Sequence, residues 1–172
     1  GTYWIIARAD DDGTLAETQE TNNQLTRTIQ VGTDLAISSL SVPLTAAAGQ
    51  SLTVSDTTRN QGAGTADPST TTFYLSTDTA VGASDVVLAS RAVPLLAPGA
   101  GDSAATVVTI PAGTATGSYY VIARADANEL VAELYETNNT LYRALAIGPD
   151  LRVSYVTAPS SAAAGATINV SD

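Results

Sequence analysis

Carboxylates are the one side-chain type in this sequence grouped tightly enough to suggest chemistry, and their placement is uneven. All five glutamates fall in two short stretches, Glu17 and Glu20 in one and Glu129, Glu133 and Glu136 in the other. An aspartate opens each stretch, Asp10 or Asp126, and an asparagine pair closes it, Asn22-Asn23 or Asn138-Asn139. Oxygen donors at short spacing on a loop are what a hard cation such as Ca²⁺ requires, with about six to eight oxygens drawn partly from backbone carbonyls and water. The candidate calcium ligands are Asp10, Glu17, Glu20 and Asn22 in the first stretch, and Asp126, Glu133, Glu136 and Asn138 in the second. A competing reading needs no ion. Thr and Asn side chains bond back to nearby amides and Asn tolerates the left-handed conformation, so Thr-Asn-Asn can form a turn into a following strand. The glutamates would then face solvent or pair with Arg8, Arg27, Arg124 and Arg143, whose spacing repeats with theirs.

Other carboxylate chemistry fares less well. Asp78 and Asp85 bracket an eight-residue loop, but without the alternating aspartates of an EF-hand they read as a solvated turn. A glycosidase needs a proton-donating acid and a second carboxylate about 5 to 10 Å away in a cleft. Glu133 and Glu136 satisfy the composition. The chain offers no insertion to build a cleft and few aromatics to stack a sugar, so no catalytic residue is assigned and no enzyme activity is expected. The sequon-like triplets Asn138-Asn139-Thr140 and Asn169-Val170-Ser171 are expected by chance in so Ser/Thr-rich a chain.

The absences exclude more. Among 172 residues there is no His, Cys, Met or Lys, and all seven cations are arginine. Without His or Cys there is no Ser-His-Asp triad, no thiol nucleophile, no ordinary zinc, haem or iron-sulfur ligation, and no disulfide. Without Lys there is no Schiff base and no P-loop. A net charge of −10 opposes nucleic acid as a partner, since phosphate binding relies on clustered cations. No apolar run approaches the roughly 18 residues of a membrane span, so no membrane insertion is expected in this segment. The chain starts without Met and inside a repeat, so any signal sequence would lie upstream.

That repeat organises the elements that must position the carboxylates. Residues 1–56 align without a gap on residues 117–172, an offset of 116 (172 − 116 = 56), with 27 identical pairs. Arg8 falls on Arg124, Asp10 on Asp126, Glu17 on Glu133, Glu20 on Glu136, Pro43 on Pro159, and Ser55-Asp56 on Ser171-Asp172. Gly32-Thr33-Asp34 and Gly148-Pro149-Asp150 supply turn residues between strand-like runs, the mark of a unit boundary. One complete unit is therefore expected over 34–148, the last strands of a preceding unit over 1–33, and the first strands of a following unit over 149–172. Inside the complete unit seven strands are expected, at 35–42, 51–60, 70–76, 86–93, 103–110, 118–125 and 141–147, and no helix. About 115 residues with seven short strands point to an immunoglobulin-like antiparallel β-sandwich. Tyr3 and Tyr119 stand where such sandwiches place a corner tyrosine.

The order of these pieces resembles a known family. Pro149-Asp150-Leu151 opening a unit, Pro43-x-x-Ala-Ala-Ala-Gly49 before the second strand, Asn60-Gln61-Gly62 closing it, Phe73-Tyr74-Leu75-Ser76-Thr77-Asp78 in the third, and Asp-x6-Glu-x2-Glu-x-Asn-Asn before the last are similar to CARDB, the cell-adhesion-related domain found in bacteria. The resemblance implies an immunoglobulin-like sandwich, commonly in tandem, in secreted or surface proteins of prokaryotes. One departure stands out: Asp11-Asp12-Gly13 becomes Ala127-Asn128-Glu129 in the second copy. The functional expectation is a non-enzymatic extracellular repeat forming a semi-rigid stalk, adhesin or fibre. Its partners would be neighbouring repeats of the same protein, or other copies in a filament that complete the partial units. The alternative is a calcium-dependent binding module. If Tyr119, Val121 and Ala123 face the core, then Trp4, Ile6, Tyr120 and Ile122 point outward, which marks them as a candidate interaction face.

Overall fold

The computed structural model describes residues 1–149 and 151–172, so Asp150, the counterpart of Asp34, lies outside the described residues. Ten strands and no helix are present among the described residues: β1 Thr2–Arg8, β2 Gln24–Gln30, β3 Leu35–Ser41, β4 Thr45–Ala46, β5 Ser51–Asn60, β6 Ser69–Ser76, β7 Val86–Val93, β8 Gly101–Thr109, β9 Gly117–Arg124 and β10 Thr140–Ile147. Strands β3, β5 and β8 form one sheet in that order, β4-β10-β9-β6-β7 form the sheet that faces it, and β1 and β2 pair as a separate antiparallel hairpin. Every pairing is antiparallel except the short one between β4 and β10. The two sheets enclose a core that includes Leu35, Ile37, Val54, Phe73, Val108, Val121 and Leu145. This is the expected sandwich, with each of the seven expected strands found within two residues of its place.

Alternation along the strands shows why the sequence packs this way. In β5 the buried row is Leu52, Val54, Asp56, Thr58 and Asn60, with polar neighbours turned outward. Its second half buries polar side chains, and each has a partner. Thr58 Oγ1 meets Thr71 Oγ1 at 2.6 Å. Asp56 receives two hydrogen bonds from Arg91, Nε at 2.8 Å and Nη2 at 2.7 Å, while Arg91 Nη1 reaches Asp102 at 2.5 Å. Arg91 lies on β7, Asp56 on β5 and Asp102 on β8, so one guanidinium ties the two sheets together. Its forked donors suit two carboxylates at once, and burial makes loss of any member costly. Tyr119 does act as a corner, its hydroxyl donating to the Ala115 carbonyl at 3.0 Å.

Three regions depart from expectation. First, β4 was hidden in an Ala-rich run that shows no strand periodicity; the parallel contact with β10 makes it a strand. Second, no strand lies among the described residues of 149–172. The lone bridge Thr157–Ser171 sits at the positions equivalent to Ser41–Ser55. Leu151, Val153 and Tyr155 are exposed, and short strands without a third partner or an apolar face to bury are marginal. Third, Ile122 is fully buried and offers no surface of its own. It points away from the core, but Tyr74 and Tyr142 flank it on the neighbouring strands, and Tyr120 packs edge-on against Tyr142 with ring centroids 5.5 Å apart.

Candidate functional site

The two acidic stretches are loops, one following β1 and one following β9, and both fold the same way. Asp10 and Asp126 each adopt a positive φ, of 44° and 41°. Asp126 turns its carboxylate back onto the Leu130 and Val131 amides, at 3.3 and 2.9 Å. Asp10 takes the Thr14 and Leu15 amides in the same manner. Further along, the Glu133 amide donates to Glu136 Oε1 at 3.1 Å, as the Glu17 amide donates to Glu20 Oε1 at 3.0 Å. Asn138 donates to Asp34 Oδ1 at 2.9 Å, whereas Asn22 pairs with Gln19. The buried Asn139 amide, oriented by its neighbours, donates to the carbonyls of Leu35 and Tyr135 at 3.1 Å. This is the local-turn reading of both stretches.

Asp126, Glu136 and one oxygen of Glu133 are engaged with backbone N–H groups. Among the described residues no group of three or more Asp and Glu side chains converges at metal-binding distances. Arg124 also joins Glu129 at 2.5 Å rather than Glu133 or Glu136, and Arg143 donates to its neighbour's carbonyl, Tyr142 O, at 2.9 Å. In the loop after β6, Asp78 and Asp85 accept the Ala80 and Gly82 amides, each at 2.8 Å, and so cap that turn.

What the loop after β9 does hold is the chain segment that enters the sandwich. Thr33 forms a parallel bridge with Glu133; its hydroxyl donates to the Ala132 carbonyl at 2.7 Å, and its carbonyl accepts the Leu134 amide at 2.8 Å. Glu133 Oε2 accepts the Leu35 amide at 2.8 Å. On the other side lies the loop after β5. There Gly32 O accepts the Ala63 and Gly64 amides at 3.0 and 2.8 Å, and Asp34 O accepts the Gln61 amide at 2.6 Å. Asn60 anchors this second loop. Fully buried, it donates to the Gly64 and Leu96 carbonyls at 2.7 and 3.0 Å and accepts the Gly62 and Asp34 amides at 3.0 and 3.3 Å.

The segment Gly32–Asp34 is thus gripped by backbone from both sides. The grip demands glycine: a Cβ on Gly62 would lie 2.6 Å from Gly32 O and 2.7 Å from Asp34 N. Leu134 packs over Gly32, and the Gln30 amide reaches the Tyr135 hydroxyl, so the end of β2 is held as well. Glu133 is the strained member. Burial first, and then the neighbouring Glu136, Asp126 and Asp34, push its carboxyl up to about 7 against the opposing pull of the Leu35 hydrogen bond. The sequence marked Glu133 and Asn138 as calcium candidates, Thr33 only as part of a unit boundary and Asn60 and Gly62 only as part of a family-like motif, and it did not single out Gly64. The Asn60-Gln61-Gly62 motif was the available signal.

The candidate interaction face divides. Trp4 and Ile6 are 62% and 59% exposed on the hairpin, Tyr120 is half-buried, and Ile122 is covered. A concavity of about 440 Å³ lies at the opposite end of the sandwich, between the loops after β6 and β8. None of the calcium candidates lines it. No helix among the described residues is long and apolar enough to cross a membrane.

Comparison with known proteins agrees with this architecture. The CARDB family model matches residues 32–143. Among solved structures, the chain is similar to the CARDB domain of the PF1109 protein from Pyrococcus furiosus in complex with di-metal ions, with 18% identity and a TM-score of 0.52 over 68% of this chain and 90% of that one. A solution structure of the same domain gives 16% identity and a TM-score of 0.53, covering 69% of this chain and 97% of that one. A domain of a putative cell surface protein from Methanosarcina acetivorans gives 20% and 0.50, covering 73% of this chain and the whole of the other. No curated protein sequence matches.

Proposed function

The chain belongs to the CARDB family, a cell-adhesion-related fold, and from that membership we propose that it is a non-enzymatic structural repeat of an extracellular prokaryotic surface protein. In this reading sandwiches follow one another along a stalk or fibre, and the partial units at either end are completed by neighbouring polypeptide. One observation carries it: the segment Gly32–Asp34 is built into the sandwich it precedes, through the Thr33, Gly32 and Asp34 backbone bonds. A flexible linker would leave those groups to water; a gripped one lets successive units act as a semi-rigid rod. The hairpin supports the same view. β1 and β2 coincide with β9 and β10 at the 116-residue offset, residue for residue in register, but their side chains are exposed. Completed by the strands that β9 and β10 possess, they would bury the same faces.

Amide hydrogen exchange tests this reading. The amides of Leu35, Ala63, Gly64 and Leu134 should exchange as slowly as those of β9, while exchange at loop rates would sink the rod. Placing a copy of residues 33–116 ahead of Gly1 should in turn slow exchange in β1 and β2. A hairpin that exchanges as before would mean that it is not a partial unit. Calcium is the rival reading for the acidic loop, and its support is the di-metal complex of the Pyrococcus domain. A melting temperature unchanged by EDTA removes it.

A further inference from the structure

Two side chains of the loop after β9 close over the end of the hairpin. Leu134 lies against Gly32: a Cβ on that glycine would stand 3.3 Å from the leucine Cγ and 3.7 Å from the Gly1 nitrogen. Tyr135 receives the Gln30 amide on its hydroxyl. At the 116-residue offset Gly1, Gln30, Val31 and Gly32 fall on Gly117, Ala146, Ile147 and Gly148. The register is the same, since Gly1 exchanges hydrogen bonds with Val31 and Gly117 pairs with Ile147. Gly32 and Gly148 share a positive φ, of 147° and 132°.

At the exit end of the sandwich, those four counterparts line a hollow of about 300 Å³, to which Thr45 and Thr116 add walls. Thr116 leans over Gly148, and β4, which carries Thr45, has no equivalent beside the hairpin. Leu44 adjoins the hollow, its carbonyl accepting the Ala146 amide at 2.9 Å while its residue stays 81% exposed. None of the lining residues is charged. On a chain of net charge −10, that leaves the surface open to a loop whose Leu-Tyr pair is flanked by Glu133 and Glu136.

We propose that this hollow is the docking site for Leu134 and Tyr135 of a second copy of the unit placed after Gly148. Successive sandwiches then abut through an apolar contact as well as through the gripped segment. The inference rests on the rod reading above and supplies its partner residues. Ala146 stands where Gln30 does, so the tyrosine meets a methyl group and the neighbouring Leu44 in place of an amide. The contact is also selective. The loop after β1 carries Thr18 and Gln19 at the positions of Leu134 and Tyr135, so a unit of that kind has no apolar pair to insert.

Inserting a copy of residues 33–148 after Gly148 duplicates the unit in an otherwise intact chain. Because the chain has no cysteine, Ala146→Cys in the first copy places a single thiol in the hollow. Its reaction with a maleimide reads exposure and should slow about tenfold on duplication. Leu134→Thr with Tyr135→Gln in the second copy, the pair already found at positions 18 and 19, should restore the original rate. Ala105→Cys, exposed on β8, should react alike in every chain. Spin labels on Ala105→Cys of both copies separate the two ideas by pulsed EPR. A narrow distance distribution with an unprotected thiol overturns the docking site and leaves the rod standing; a broad one sinks the rod and the site with it. Protection that survives the double substitution assigns the cover to other groups and overturns the proposal. Should that variant unfold its copy, Tyr135→Gln alone decides, since this side chain is 46% exposed, and undiminished protection is then equally fatal.

Discussion

In the hairpin β1–β2, Tyr3 stands opposite Ile29, and in the pair β9–β10 Tyr119 stands opposite Leu145 at the same register. Leu145 is 1% exposed and Ile29 is 40% exposed. Both ladders are complete, and the residues are similar in kind. What separates them is that β9 also pairs with β6 and faces the sheet β3-β5-β8, while β1 has only β2. Backbone pairing therefore does not distinguish a folded unit from a marginal hairpin; the second sheet does, through the apolar area it removes from water.

Five substitutions sharpen the contrast, and the largest effect is expected where the two sheets are tied. Arg91→Ala leaves Asp56 buried without a counter-charge, a loss of about 3–5 kcal/mol. Denaturant titration of the sandwich should show it, and an unchanged midpoint would mean that the tie contributes nothing. Next, Leu145→Ala should cost about 2–5 kcal/mol in the same titration, while Ile29→Ala, at the equivalent position, should stay within about 0.5 kcal/mol. Equal effects would erase the distinction between the ladders. Asp126→Asn, in a buried site holding two amides, should cost about 1–3 kcal/mol. Asp10→Asn, in the exposed loop, should be read as neutral by the same midpoint.

The smallest effect is one of pH. Because the folded state raises Glu133 from 4.5 to about 7, it holds the proton more tightly than the unfolded chain does. Its contribution to stability is then full below about 4.5 and is lost as the pH climbs through about 7. Melting curves of wild type should fall relative to Glu133→Gln across that window, whereas Glu17→Gln should track wild type. Parallel curves for wild type and Glu133→Gln would show that the carboxyl group is not shifted.

The strands were legible because glycine, proline and asparagine punctuate them and the residues between alternate. The site was less so. Sequence spacing drew attention to Asp126, Glu133, Glu136 and Asn138 as oxygen donors, and the loop does bring them close to one another, but most of their donors and acceptors meet backbone. Nothing in the order of residues shows that Gly62 lies against Gly32, since the contact joins bare backbones distant along the chain. The polar inward row of β5 was obscured for a related reason. Asp56, Thr58 and Asn60 break an apolar pattern, and only their partners on β6, β7 and the neighbouring loops explain their burial.

The two-residue strand β4 bears on how the sandwich carries mechanical tension. β4 runs parallel to β10 and is joined to it by hydrogen bonds from the Ala146 amide to the Leu44 carbonyl and from the Gly148 amide to the Ala46 carbonyl. A pull on the two ends of the sandwich drags β4 and β10 in opposite directions along their length. Their hydrogen bonds are then loaded together, in shear, instead of opening one after another like a zipper. Stretching single molecules would read this as a rupture force above that of the hairpin, whose adjoining ends peel apart.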